Sequence, residues 1–159
     1  MTVTTSPAPT TSAPPAAAPA DAVERMRVLL VDDDVDHAMI VRRTLERQGG
    51  FAVTHVVDGM ACLEALGREP FAVVLLDYSL PKMNGLEVLE RIGQQQLGVP
   101  VIMATGQGDE RIAVQAMNAG AIDYVMKTSG YFATLPTVLN KVLKQHELAV
   151  DNARLYAES

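Results

Sequence analysis

Phe71-Ala72-Val73-Val74-Leu75-Leu76-Asp77-Tyr78-Ser79-Leu80-Pro81 decides how the chain folds. Six consecutive apolar residues, two of them β-branched, run without interruption into a carboxylate and then a proline. A short apolar run bounded by turn signals reads as a strand buried on both faces, the kind that occupies the middle of a parallel sheet. Asp77 then stands at the carboxyl end of a central strand, on the sheet edge where open α/β folds bind their ligands. Packing explains a carboxylate there poorly, because Asp is seldom buried without a partner. Taken alone, Asp77 is explained slightly better as the cap of a turn. Its neighbours in the fold decide otherwise.

Working outward, the same pattern recurs. Arg27-Val28-Leu29-Leu30-Val31 is a short apolar strand that stops in Asp32-Asp33-Asp34. A helix follows, with Asp34 or Asp36 as N-cap and Ala38, Val41 and Leu45 on one face. Gly49-Gly50 ends it. Phe51 to Val57 alternates weakly as a second strand, and Asp58-Gly59 opens a helix whose apolar face includes Cys62 and Leu66. After the Asp77 strand, the loop from Ser79 to Gly85 leads into a helix carrying Leu86, Leu89, Glu90 and Ile92. Pro100 to Ala104 is a fourth strand, ending in Thr105-Gly106-Gln107-Gly108. Asp109 to Ala119 is helical with Gly120 as its C-cap. Ile122 to Met126 is a fifth strand, ending in Lys127. A last helix starts near Tyr131 to Pro136, with the proline in its first turn. Strand-helix alternation repeated five times predicts an α/β fold, a doubly wound five-stranded parallel sheet with helices on both faces.

Composition narrows the function. The chain has 159 residues, enough for one ordinary domain core. Residues 1–25 form a Pro/Ala/Thr-rich tail; the first 20 are uncharged and hold five of the nine prolines, so disorder is expected. The single cysteine excludes an internal disulfide and suits a reducing, cytoplasmic setting. No apolar run approaches the roughly 18 residues of a membrane span, and the amino end does not resemble a signal peptide. A formal charge of −6 offers no broad footprint for nucleic acid.

Four strands thus end in chemistry: Asp32-Asp33, Asp77, Thr105 and Lys127. A parallel sheet gathers these ends along one edge. Three carboxylates in one pocket repel one another unless a cation lies between them, and a hard oxygen set suits Mg²⁺ better than zinc. A lysine and a small hydroxyl beside them suit a phosphoryl group. Carboxylate nucleophile, metal, Lys and Thr together make a phosphoryl-transfer site.

This set resembles the receiver domain of two-component response regulators, over residues 26–145. The resemblance implies a flavodoxin-like receiver fold and assigns roles position by position. Asp77 is the phosphoacceptor. Asp33 binds Mg²⁺ directly and Asp32 mostly through water, with Asp77 and the backbone carbonyl of Ser79 completing the site. Thr105 and Lys127 hold the phosphoryl oxygens. Tyr124 matches the aromatic that swings inward as Thr105 moves, and Ser79 and Gln107 fall at positions that tune hydrolysis. The implied donor is a phosphohistidine on a histidine kinase or histidine phosphotransfer protein. The implied output is a downstream protein or a homodimer, with no nucleic acid and no membrane contacted. Such a domain assists its own phosphorylation and dephosphorylation and is not otherwise an enzyme. One departure stands out: Thr128 occupies the place where family members commonly have a proline after a cis bond. Cis at a non-proline residue costs about 2.5–4 kcal/mol, so a trans bond or a locally different loop is expected.

Two rival readings stand beside this one. The fold can serve as a phosphate-independent interaction module, which unchanged partner affinity in Asp77→Asn would favour. A Mg²⁺-dependent phosphohydrolase is a third, weakened by Ser79, where the best-known such family has an acid. His146-Glu147-Leu148 is similar to the acceptor box of histidine kinases but lacks its Arg and Pro, and reads as a solvated helix face. Leu139, Leu143, His146, Val150, Ala153 and Ala157 recur at steps of four and three. This short, weak heptad pattern continues as a C-terminal helical extension over residues 146–159, which reads as a dimer contact, a stub leading to an output module or a frayed surface helix; the reading favoured is a protruding helix with some role in association.

Overall fold

The computed structural model describes residues 25–48, 50–106 and 108–158, with side chains as far as residue 153. The first 24 residues, Gly49 and Gln107 therefore lie outside the described residues, as does the side chain of Ala157. Among the described residues, five strands and five helices alternate: β1 (Met26–Val31), α1 (Val35–Arg47), β2 (Phe51–Val56), α2 (Gly59–Arg68), β3 (Val73–Asp77), α3 (Gly85–Gln94), β4 (Val101–Thr105), α4 (Glu110–Asn118), β5 (Asp123–Met126) and α5 (Tyr131–Glu158). All neighbours pair in parallel, in the order β2-β1-β3-β4-β5. The apolar run that ends in Asp77 is the central strand, and all five residues of β3 are buried.

Pleating sorts each strand onto two faces. Val28, Leu30, Val73, Leu75, Ile102 and Ala104 meet Ala38, Val41 and Leu45 of α1 and Leu135, Leu139 and Val142 of α5. Leu29, Val31, Val74, Leu76, Val101 and Met103 meet the helices of the other face, through Cys62, Val88, Ile92 and Ala116. The sheet is doubly wound, as its sequence alternation predicts. Among the described residues, no helix is long and apolar enough to cross a membrane.

Local chemistry sets the helix ends. Asp34, rather than Asp36, caps α1, accepting from the His37 N–H at 3.0 Å. Asp58 caps α2 the same way. Asn84 and Glu87 form a reciprocal capping box on α3. Gly120 follows α4 with φ +110°; its N–H donates to Met117 O and that of Ala121 to Ala116 O, a Schellman ending that requires the left-handed backbone.

Two expectations change. Pro136 is not in the first turn of the last helix: α5 begins at Tyr131, so the proline is its sixth residue. It therefore removes one interior backbone bond, and Pro136 itself is buried. Of the kinase-like triplet, Glu147 and Leu148 are exposed but His146 is half-buried. It lines a cleft of about 670 Å³ at the opposite end of the sheet from Asp77, with Met26, Phe71 and Val150. The Lys127–Thr128 bond is trans.

Candidate functional site

The four strand ends converge as the parallel sheet requires. Asp32 directly follows β1, Asp77 ends β3, Thr105 ends β4 and Lys127 directly follows β5. Ladder bonds extend past the strands to hold these positions: the Asp32 N–H donates to Val56 O at 3.1 Å and the Lys127 N–H to Thr105 O at 2.8 Å. Gly85 lets α3 start against the end of β3, where a Cβ would stand 2.7 Å from the Asp77 carbonyl oxygen.

Asp77 is 7% exposed. Lys127 Nζ donates to its Oδ2 at 2.6 Å and the Ser79 N–H to its Oδ1 at 3.1 Å. Burial raises the Asp77 carboxyl above the usual range against the pull of Lys127, and the charge of Asp32 adds to the rise. Asp32 is 2% exposed, and Lys127 Nζ lies 3.8 Å from its Oδ2. Asp33 is exposed, and one oxygen from each of the three carboxylates lies within 4.8 Å of the others. This donor set fits a hard divalent cation: oxygens only, two buried and one open to solvent. Thr105 is fully buried, and its Oγ1 has no hydrogen-bond partner among the described residues. A buried hydroxyl left this way is costly unless a ligand completes it.

Every predicted site residue except Gln107 is described. Asp32, Asp33, Asp77, Thr105 and Lys127 gather at one edge. Ser79 reaches the site through its backbone, with an exposed side chain. Tyr124 on β5 is 41% exposed. Sequence reasoning passed over two histidines and a tyrosine. His37 Nδ1 lies 2.6 Å from Asp32 Oδ2, and His55 Nε2 donates to the Asp32 carbonyl at 2.7 Å. Tyr131 is buried close enough to feel Asp77 and Asp32; burial first, then these charges, push its hydroxyl pKa up. The one local signal for His37 was its place three residues after the N-cap Asp34.

A family model of the response regulator receiver domain matches residues 28–153. The chain belongs to the response regulator receiver domain family. Among curated relatives, the receiver is 35% identical over 138 residues to the C4-dicarboxylate transport transcriptional regulatory protein DctD of Pseudomonas aeruginosa, covering 87% of this chain and 29% of that one. It is 36% identical over 121 residues to the methanogenesis regulatory protein FilR1 of Methanothrix harundinacea, covering 73% and 27%. The chain spans between about a quarter and a half of the length of the curated relatives it matches. Among solved structures, the signal receiver domain of a putative Luxo repressor protein from Vibrio parahaemolyticus superposes with a TM-score of 0.72 at 30% identity, covering 79% of this chain and 95% of that one.

Proposed function

We propose that this receiver accepts a phosphoryl group on Asp77 from a phosphohistidine of a histidine kinase or histidine phosphotransfer protein. The observation that carries the reading is the company Asp77 keeps: Lys127 Nζ at 2.6 Å and two further carboxylates within reach of one cation. Mg²⁺ would be held by Asp32, Asp33, Asp77 and the Ser79 carbonyl, and when bound it supplies charge neutralisation between acceptor and phosphoryl group. An Asp77 carboxylate oxygen attacks phosphorus, the P–N bond to the donor imidazole breaks, and the P–O bond forms. Lys127 already stands on Asp77 and is free to pass to a phosphoryl oxygen. The buried Thr105 Oγ1 gains its missing partner from another.

The response then spreads from Thr105, whose neighbour in register is Met126 of β5, to Tyr124 two residues earlier. Exposed Val114 and Met117 on α4 and Tyr124 on β5 offer an apolar surface for a downstream protein or a second copy. The receiver acts on its own side chain rather than turning over a substrate, and the single buried cysteine suits a reducing cytoplasm. Incubation with acetyl phosphate in Mg²⁺, followed by intact-mass measurement, tests this. The parent should gain one phosphoryl group and Asp77→Asn none; equal labelling of both would overturn the acceptor assignment.

A further inference from the structure

His37 has no role in the reaction described above, yet it touches both the acidic cluster and the longest helix. It is the third residue of α1 and its side chain is 20% exposed. A carboxylate cannot donate, so the imidazole Nδ1–H donates to Asp32 Oδ2 at 2.6 Å. The Asp34 N–H holds Asp32 Oδ1 at 2.9 Å, so both oxygens of Asp32 are anchored. The imidazole ring also stacks on Tyr131 at 5.5 Å between centroids, with 21° between planes, and lies 5.1 Å from Phe132. Those two rings meet edge to face at 5.3 Å. Tyr131 and Phe132 are the first two residues of α5.

We propose that His37 is a positioning residue that aims Asp32 at a divalent cation and passes capture of that cation to the first turn of α5. The inference rests on reading the acidic cluster as a Mg²⁺ site. A cation drawing on Asp32 withdraws charge from the oxygen that holds His37, and the ring shifts with its partner. Close packing leaves Tyr131 and Phe132 to take up that shift. The route runs through α1 and α5, whereas the route from Thr105 to Tyr124 runs through β4 and β5. The helix end thus responds to cation before any phosphoryl group arrives.

The test is a Mg²⁺ titration of fluorophenylalanine-labelled protein with no phosphodonor present, since the chain has only three phenylalanines. Amide signals of Asp32 to Asp34 report affinity and the Phe132 fluorine reports the helix. In the parent, the Phe132 signal should move and saturate at the same Kd as the amides. His37→Phe keeps a ring but loses the donor, and affinity should fall about tenfold. His37→Asn keeps a donor near the Nδ1 position but loses the stack, so affinity should stay close to the parent's while the Phe132 shift collapses. Thr105→Val should keep the shift. Parent-like affinity in His37→Phe, a full shift in His37→Asn, a lost shift in Thr105→Val or an unmoved Phe132 in the parent would each overturn the proposal. The two His37 variants perturb packing in opposite ways, so one arm reports if the other misfolds. Failure of the parent to bind Mg²⁺, or undiminished binding by Asp33→Asn, would instead overturn the cation-site reading beneath it.

Discussion

Asp77 sits in surroundings that resist its charge. Burial raises its carboxyl above the ordinary range although Lys127 pulls the other way. The folded state therefore keeps this proton to higher pH than the unfolded chain does. Stability from the group is complete below the unfolded carboxylate pKa and is lost as pH rises through the folded one. In metal-free buffer at neutral pH, Asp77→Asn should raise Tm by a few degrees, and the advantage should shrink as pH falls through the carboxylate range. Calorimetry of both proteins across that range checks this; a gap that does not vary with pH would contradict it. Cys62 makes a second residue-level case. It is fully buried on α2, and burial pushes its thiol up to about 12. In neutral buffer its alkylation should proceed only as fast as the domain opens, and rapid labelling of the native protein would contradict the burial.

Helix starts and strand ends, taken as elements, decide where the chemistry sits. In α3 two glycines make opposite predictions. A Cβ on Gly85 would lie 2.7 Å from both the Asp77 carbonyl oxygen and Tyr78 Cα, and 2.9 Å from Met103 Sδ. Gly85→Ala should destabilise the domain by about 1–3 kcal/mol and slow phosphorylation by displacing the Asp77 backbone. Gly93 has nothing within 4 Å, so Gly93→Ala should stabilise by about 0.5–1 kcal/mol. Urea unfolding with acetyl phosphate labelling separates the two. Elements of this kind were largely legible in the sequence. Val73 to Leu76, a short apolar run between turn signals, reads as a buried strand, and parallel strands align their carboxyl ends, so the convergence of Asp32, Asp77, Thr105 and Lys127 follows without coordinates. The contact of His37 with Tyr131 and Phe132 was not legible. It arises where two helices far apart in sequence lie side by side on one sheet face, and no local periodicity encodes that neighbour. The place of Pro136 was misjudged because the start of α5 depends on the turn before it, where Tyr131 N–H donates to Thr128 O.

Across the whole molecule, α5 has two halves with different duties. Leu135, Leu139 and Val142 are fully buried against the sheet, whereas Leu148 and Val150 are more than half exposed. Leu139→Ala should cost about 2–5 kcal/mol. A chain ending at Glu147 should lose less stability than Leu139→Ala, and denaturant titration of the two variants compares them directly. The parallel connectivity has a further result, in time rather than in space. Lys127 and Asp77 stand 50 positions apart in sequence, and the acidic pair enters from the other side of β3. Pairings of such range form late, because loop closure must precede the contacts that reward it. A ribosome-bound chain that has not yet released β5 has the Asp77 carboxylate with no ammonium beside it, so the proposed acceptor is incomplete. Competence to receive a signal should therefore appear only with the last cooperative step of folding, so that unfinished copies stay silent.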